Sequence, residues 1–212
     1  GINIGPNKET KNKENDYYIC LSRLGMHAGY ITINISSPNT EGLRDFHDQR
    51  EMKNLLSGIN KIIKEKKIEC PISIKISPDI NDNEIGNIVE LVNSHKIQGI
   101  VVCNTTDSNR NNLLDLKKHE TGGLSGQPLK EISTNLIRKF YKETKGKIKI
   151  IGVGGVDSGE SAFEKISAGA DAVQLYTGMV YKGPGIVKKI KKELISILKK
   201  ENLKNVSEAV GI

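Results

Sequence analysis

Polar side chains able to bind or deprotonate a small substrate follow an apolar run near the start of the chain. The stretch YITINISSPNT (30–40) ends with Ser37, Pro38, Asn39 and Thr40. Pro38 stops a β-ladder from continuing and biases Ser37 toward an extended backbone. Ser, Pro and Asn are also common turn residues, so this stretch alone fits either a capped strand end or a binding loop.

Other apolar runs also end in polar side chains. Lys75 lies in ISIKI (72–76), and Asn104 and Thr105 follow GIVVC (99–103). A charge in a central strand is costly without a charged or hydrogen-bonding partner, so the alternative for Lys75 is an edge strand.

Two glycine-rich segments provide turns with little side-chain cover. They are TGGLSGQP (121–128) and GVGGVDSG (152–159), and the later run AVQLY leads into Tyr176 and Thr177. Asp157 occupies the place of the third glycine in a dinucleotide fingerprint, so that motif is absent. A bare turn before a helix still exposes N–H groups to a phosphate.

Composition limits the class of protein. The chain has 212 residues with 36% hydrophobic and 27% charged content, which suits one domain or part of a larger one. Its net charge of +7 comes with only 4% aromatic residues and no Trp, so we expect solvated lysine-rich faces and no nucleic-acid binding. No signal peptide or membrane span is evident.

The possible metal ligands are scattered. Cys20, Cys70 and Cys103 lack the spacing of a disulfide framework or a zinc site, and the four histidines are equally dispersed. We therefore expect no metal and a reducing compartment.

Apolar β-branched runs alternate with helical periodicity along the chain, which predicts a parallel sheet with crossover helices. Two arrangements of such a sheet fit the pattern, an open doubly wound sheet and a (β/α)8 barrel. Both place function at the carboxyl ends of the strands. The basic amphipathic segment 187–198 fits a membrane-surface helix or an outer helix covering the sheet, and we favour the outer helix.

The motif series resembles the class 2 (quinone-dependent) dihydroorotate dehydrogenases, in the family's order and over the entire chain. The motifs are GINIGPNK, NISSPNTEGLR, IKISPD, CNTT, ETGGLSGQPL, IIGVGGVDSG, AGADAVQLYTGMVYKGP and NVSEAVG. The resemblance implies a (β/α)8 TIM barrel that holds FMN and oxidises dihydroorotate to orotate in pyrimidine (UMP) biosynthesis. It also implies a membrane quinone as electron acceptor. The expected location is peripheral, on the cytoplasmic side of a bacterial cell membrane or on the mitochondrial inner membrane.

The resemblance also implies roles for individual residues. Ser37 matches the catalytic base, where class 1 enzymes carry cysteine, and Thr40 is a candidate proton relay. The expected substrate contacts are Asn34, Asn39, Asn104 and Thr105. The expected FMN contacts are Asn3, Asn34, Lys75, Cys103, Gly126, Gly155, Tyr176 and Thr177. Cys103 replaces a threonine common in the family, which we expect to weaken one minor contact.

Residues 1–212 are expected to form the carboxyl-terminal part of a single FMN barrel that lacks roughly its first two strands. The absent part would include the helices that dock the enzyme on a membrane. Alternatives are a class 1 or dihydropyrimidine dehydrogenase-like FMN barrel, a phosphate-binding barrel isomerase, and an inactive fragment.

Overall fold

Six short strands form one parallel sheet. The structure is a computed structural model that describes residues 1–108, 110–111 and 113–212. The strands are β1 (Ile2–Ile4), β2 (Ile31–Asn34), β3 (Ile72–Lys75), β4 (Gly99–Val102), β5 (Lys149–Val153) and β6 (Ala172–Gln174).

Each strand pairs in parallel with its neighbour in sequence, giving the order β1-β2-β3-β4-β5-β6. A doubly wound sheet would reverse its strand order at a switch point, so the observed order selects the barrel closure. Among the described residues β1 and β6 each have a partner on one side only, and the sheet is a curled partial barrel. β3 lies between β2 and β4, so the edge-strand alternative for Lys75 is wrong.

Seven α-helices occur in the described part of the chain. They are α1 (Lys13–Leu24), α2 (Gln49–Lys66), α3 (Asp82–Ser94), α4 (Lys130–Thr144), α5 (Gly159–Ser167), α6 (Thr177–Lys182) and α7 (Ile186–Lys200). Short 3₁₀ turns lie at Gly25–His27, Arg44–His47, Leu116–His119, Gln127–Leu129 and Val206–Ala209.

Local sequence explains where several helices begin. The Asp48 carboxylate accepts the first free N–H groups of α2, and Asn81 with Glu84 forms a reciprocal capping box on α3. Ser158 and Ser161 cap α5 in the same way. The helices α2, α3 and α5 therefore each carry a capping residue in the sequence just before they begin.

Side chains along each strand point alternately to the two faces of the sheet, so one face carries the hydrophobic core and the other carries the polar residues predicted for the site. Ile33, Ile74, Ile100 and Ile150 are register neighbours and are buried together against the helices. The intervening residues point to the opposite face because successive side chains alternate, and that face carries Asn34 opposite Lys75. The polar residues thus face the barrel interior.

α7 lies outside the sheet. Its Ile186 and Ile190 pack with Val156 and Ala162 in a small apolar cluster next to α5. This position confirms the interpretation of the basic amphipathic segment as an outer helix. No helix in residues 1–108, 110–111 and 113–212 is both long and apolar enough to cross a membrane.

Candidate functional site

A cleft of about 760 Å³ opens at the carboxyl ends of β3 to β6. Eight of the residues predicted for the site line it: Lys75, Cys103, Asn104, Thr105, Gly126, Gly155, Tyr176 and Thr177. They come from four strands and their loops because the carboxyl ends of parallel strands meet at one edge.

One end of the cleft is a backbone turn at Gly154 and Gly155. Gly155 has φ +69°, and a Cβ placed there would lie 2.4 Å from Cβ and 2.7 Å from Cα of Lys130. Both a left-handed backbone and a close approach to α4 therefore require glycine. A Cβ on Gly178, after β6, would lie 2.6 Å from the carbonyl oxygen of Val156, so this second turn is packed directly against the first.

The backbone N–H groups of this end are available to a ligand. Within the described ranges, the amides of Gly154, Gly155, Thr177 and Gly178 donate to no protein acceptor. The first amides of α5 behave differently, since Gly159 N donates to Glu193 Oε2 at 2.6 Å and Ser161 N to Ser158 Oγ at 3.1 Å. The two turns therefore offer four amides without a protein acceptor, whereas most of the first amides of α5, where the sequence had also suggested donors, are already bonded.

Two titratable side chains line the middle of the cleft. Burial lowers the pKa of the half-buried Lys75 ammonium, an effect that the nearby Cys103 partly opposes. Burial raises the pKa of the Cys103 thiol to about 12, so the thiol is neutral at physiological pH. Among the described residues no carboxylate lies within 4 Å of Lys75 Nζ.

A serine joins two of the predicted substrate residues. Ser36 Oγ donates to Asn34 Oδ1 at 2.7 Å and accepts from Asn104 Nδ2 at 3.0 Å. Thr105 N donates to Asn104 Oδ1 at 2.8 Å. These bonds fix the amide planes of both asparagines. Ser36 is not among the predicted site residues, although it follows Asn34 closely at a strand end.

The loop after β2 lies at the rim of the cleft and not in its lining. Ser37 is half-buried and its Oγ accepts from Asn39 N at 3.2 Å. Asn39 is exposed and borders a separate shallow depression, and Thr40 is half-buried. Pro38 connects the loop to the cleft, because a Cβ on Gly123 would lie 3.2 Å from Pro38 Cγ.

Asn3 is the one predicted site residue on β1, and it is not in the lining of the cleft. Asn3 pairs with Thr32 of β2. Thr32 precedes Asn34 by two residues and points to the same inner face, so Asn3 lies one layer of side chains below the pair of Asn34 and Lys75. The Asn3 residue is exposed.

An ion-pair network holds the rim loops. Arg44 Nη2 lies 3.0 Å from Asp79 Oδ2, and Arg44 Nη1 lies 3.0 Å from Asp107 Oδ1. Asp79 also accepts from the hydroxyls of Thr106 and Ser108. The Arg44 guanidinium is the main cause of the lowered pKa of Asp107. Arg44 and Asp79 stand inside the motifs NTEGLR and ISPD, yet only the fold shows that they meet.

His47 lies beneath this network and is buried. Its Nδ1 is 2.9 Å from the Arg44 carbonyl oxygen, and its Nε2 accepts from Ser77 N at 3.2 Å. Burial lowers the pKa of His47, so the neutral ring bridges the rim loop and the end of β3. No group of three or more His, Cys, Asp or Glu side chains in the described ranges is arranged to hold a metal ion.

Comparison with known proteins gives one consistent family. The family model described as "Dihydroorotate dehydrogenase" matches residues 1–198. The "Dihydroorotate dehydrogenase (quinone)" of Cereibacter sphaeroides is 42% identical over 211 residues, covering 100% of this chain and 59% of that protein. The mitochondrial "Dihydroorotate dehydrogenase (quinone)" of Mus musculus is 41% identical over 217 residues, covering 100% of this chain and 54% of that protein.

A solved structure agrees with the fold. The crystal structure of DHODH from Eimeria tenella in complex with ferulenol superposes with a TM-score of 0.95 at 36% identity, over 100% of this chain and 61% of that one. This chain spans about half to three fifths of the length of these relatives. A matching family model over nearly the full sequence, a shared strand order and a cleft built from the family's motifs lead to one conclusion: the chain belongs to the dihydroorotate dehydrogenase family.

Proposed function

We propose that the intact protein oxidises dihydroorotate to orotate with FMN and passes the electrons to a quinone, as a class 2 enzyme of pyrimidine biosynthesis. The observation that carries the proposal is the single cleft that collects eight predicted site residues from four strand ends. The names of the Cereibacter sphaeroides and Mus musculus relatives, both printed as quinone enzymes, support the choice of class.

The cleft suits FMN by the chemistry of its glycine-turn end and of its middle. Unpartnered amides of Gly154, Gly155, Thr177 and Gly178 are ready donors to a phosphate. The Lys75 ammonium would place a positive charge beside the flavin ring, where it favours negative charge on the reduced ring. When bound, FMN supplies a hydride acceptor, which no amino-acid side chain offers.

The remaining expected FMN contacts fall into two groups. Gly126, Cys103 and Tyr176 line the same cleft. Asn34 and Asn3 lie on the inner face of β2 and β1, and their roles toward FMN are proposed from the family resemblance.

The proposed substrate contacts are amides and a hydroxyl, which match a ligand with one carboxylate and two ring amides. Because Asn34 Oδ1 accepts from Ser36, the Asn34 NH₂ group remains free to donate. Asn104 keeps one N–H for the substrate, and the hydroxyl of Thr105 lies beside it in the cleft. Asn39 would complete the set from the rim loop.

Ser37 is proposed as the base that removes a proton from carbon five of dihydroorotate while hydride leaves carbon six. Serine is a weak base in water, so the site must exclude water and hold the hydroxyl in line with the C–H bond. Thr40, on the same loop, would relay the proton outward. No histidine or carboxylate bonds to Ser37 Oγ among the described residues, which argues against a hydrolase arrangement.

We further propose that residues 1–212 are the carboxyl-terminal part of one barrel, since the relatives are considerably longer. Association with a membrane surface would supply the quinone, at the cell membrane in bacteria or the inner membrane in mitochondria.

The test is an acceptor comparison with the purified intact protein. We expect orotate to form from dihydroorotate with a soluble ubiquinone analogue, and far more slowly with fumarate or NAD⁺. Faster turnover with fumarate or NAD⁺ would indicate a class 1 enzyme. An absence of orotate with every acceptor, in protein that retains its flavin, would reject the assigned activity.

A further inference from the structure

Lys165 is a fully buried lysine on α5 that the proposed reaction does not use. Its side chain has 0% relative exposure. A Cβ added to Gly152 would lie 3.3 Å from Lys165 Cβ, so the lysine stem runs between the outer face of β5 and the helix layer.

The Lys165 nitrogen is bound by three acceptors from the first five residues of α4. Nζ lies 3.2 Å from the Lys130 carbonyl oxygen, 3.1 Å from Ser133 Oγ and 3.1 Å from Thr134 Oγ1. The hydroxyl of Ser133 donates to the Val153 carbonyl, and that of Thr134 donates to the Lys130 carbonyl at 2.9 Å. Both hydroxyl oxygens can therefore only accept from Lys165. Three acceptors match the three protons of an ammonium ion and not the two of a neutral amine.

This buried charge lacks a direct counter-ion. Within residues 1–108, 110–111 and 113–212 no carboxylate lies within 4 Å of Lys165 Nζ, and the nearby Glu164 is paired with Lys130 at 2.9 Å. The ammonium also lies at the amino-terminal turn of α4, where the helix dipole is positive. Both features are unfavourable for a cation, and an anion nearby would relieve both.

The glycine turn of the cleft lies directly against the residues that hold Lys165. A Cβ on Gly155 would lie 3.0 Å from Lys130 N, and one on Gly154 would lie 3.1 Å from Ser133 Cβ. Ser133 also bonds the carbonyl of Val153, the residue before the turn. One layer of atoms thus separates the ammonium network from the free amides of Gly154 and Gly155.

We propose that Lys165 is a positioning residue for the phosphate group of the cofactor: its ammonium ties α5 to the start of α4, whose Ser133 bonds the end of β5, and it provides a buried positive charge behind the Gly154–Gly155 turn. This inference rests on the proposed binding of FMN. The ligand chemistry is a dianionic phosphate monoester, with the flavin ring contributing nothing to this contact.

The charge of Lys165 is expected to change within an accessible pH range. Burial lowers its pKa to about 8, while Cys103 and Glu164 act to raise the pKa and Lys130 to lower it. In the described part of the chain these three are the titratable groups that act on the Lys165 pKa, and the ion pair of Lys182 and Asp157 lies at the same turn. The phosphate has its second pKa near 6, so it stays dianionic above pH 7. Affinity for the phosphate should therefore fall as pH rises through about 8.

The experiment compares FMN with riboflavin, which lacks the phosphate, by titrating the flavin-free intact protein and following fluorescence quenching. We expect Lys165→Met to weaken FMN binding on the order of 10-fold or more while riboflavin binding changes less than about 2-fold. Lys200→Met removes an exposed lysine at the end of α7 and is the matched control, in which we expect the affinities for FMN and for riboflavin to stay unchanged.

A pH series gives a second test. The ratio of FMN affinity to riboflavin affinity in the wild type should fall between about pH 7 and pH 9.5, and the same ratio in Lys165→Met should not change with pH. Lys75 does not disturb this ratio, because it faces the ring common to both ligands.

The two ligand affinities distinguish a failure of the role of Lys165 from a failure of the proposed function. Equal loss of both ligands in Lys165→Met, or a wild-type ratio that does not change with pH, would overturn the role of Lys165 and leave the flavin assignment standing. Should Lys165→Met fail to fold, the wild-type pH series decides alone. Wild-type protein that binds neither ligand would overturn both this inference and the proposed function.

Discussion

Ser37 is the residue on which the proposed chemistry depends. Replacement by Ala removes the hydroxyl but leaves Asn39 and Pro38 in place, so FMN should remain bound. We expect flavin reduction by dihydroorotate to slow by about 10²- to 10⁴-fold, the usual contribution of a general base. Stopped-flow absorbance under anaerobic conditions measures it. Ser37→Cys should recover part of the rate with a shifted pH profile, and an unchanged rate in Ser37→Ala would exclude Ser37 as the base.

Gly155 is the residue at which backbone geometry matters most. In Gly155→Ala the new Cβ would lie 2.4 Å from Lys130 Cβ, so α4 or the turn must shift. We expect most of the flavin to be lost on purification, as measured by the flavin-to-protein absorbance ratio. Gly183→Ala is the matched control, because Gly183 has a similar φ of +73° and no atom within 4 Å of a Cβ. Equal flavin content in the two variants would place the phosphate elsewhere.

His47 should make stability depend on pH. Its pKa is lowered in the folded state by burial, so the unfolded state binds the proton more readily. The stabilising contribution is complete above the unfolded pKa of about 6.5 and is lost as pH falls below it toward the lowered folded value. Urea unfolding at pH 5 to 7.5 should show a steeper loss for the wild type than for His47→Gln. Parallel curves for the two proteins would contradict this role.

The sequence points to residues of the cleft where they end apolar strands. Lys75, Asn104 and Thr177 all stand at such positions, and all line the cleft. It does not reveal residues whose partners are distant in the chain. Ser36 meets Asn104 across 68 residues and Lys165 meets Ser133 across 32, and neither pairing leaves a local pattern.

At the scale of elements, Asp79 links the loop after β2 to the loop after β4 through Arg44, Thr106 and Ser108. Its side chain is only 19% exposed. Asp79→Asn should reduce the free energy of unfolding by about 2 kcal/mol, as expected for hydrogen bonds to a charged group. The KM for dihydroorotate should rise as well, because the rim loop carries Asn39.

The matched control for Asp79→Asn is Glu65→Gln. Glu65 makes an exposed pair with Lys61 at 3.9 Å on α2, and its loss should change stability by less than about 0.5 kcal/mol. Urea denaturation compares the two variants. Equal effects would show that the Asp79 network does not hold the loops.

The elements differ in how clearly the sequence marks them. Long amphipathic helices such as α2 and α4 show several buried positions at helical spacing, which is the periodicity that a sequence reveals. The helices α1 and α6 lack such a period. α1 buries only Tyr17 and Leu21, and α6 has six residues with none buried, so neither produces a clear period. α1 still matters, since the Tyr17 hydroxyl donates to the carbonyl of Asn34 at the end of β2.

At the scale of the whole molecule, the alternation of strands with helices along the chain predicts a parallel sheet. It does not decide whether that sheet is doubly wound or closes into a barrel. The closure depends on which strands become neighbours, and the observed order β1 to β6 without reversal supplies that information. Only the resemblance of the motifs pointed to the barrel beforehand.

The open sheet leads to a prediction about residues 1–212 expressed alone. β1 and β6 each present an unpaired edge in the described structure, and such edges pair with other chains. We expect this segment to be poorly soluble or molten, to bind FMN weakly and to show no dihydroorotate oxidation. Adding the preceding segment of the intact protein, fused or in trans, should restore colour and turnover. A soluble, FMN-loaded segment that melts cooperatively and oxidises dihydroorotate unaided would contradict this expectation.

The central claim is that this cleft brings dihydroorotate to a bound flavin, and an anaerobic half-reaction tests it most directly. Purified intact protein is mixed with dihydroorotate in the absence of any quinone, and visible flavin absorbance is followed together with orotate. The account predicts that the flavin is bleached with one equivalent of orotate formed per flavin, and that Ser37→Ala bleaches far more slowly. A flavin that dithionite reduces but dihydroorotate leaves oxidised would contradict the account.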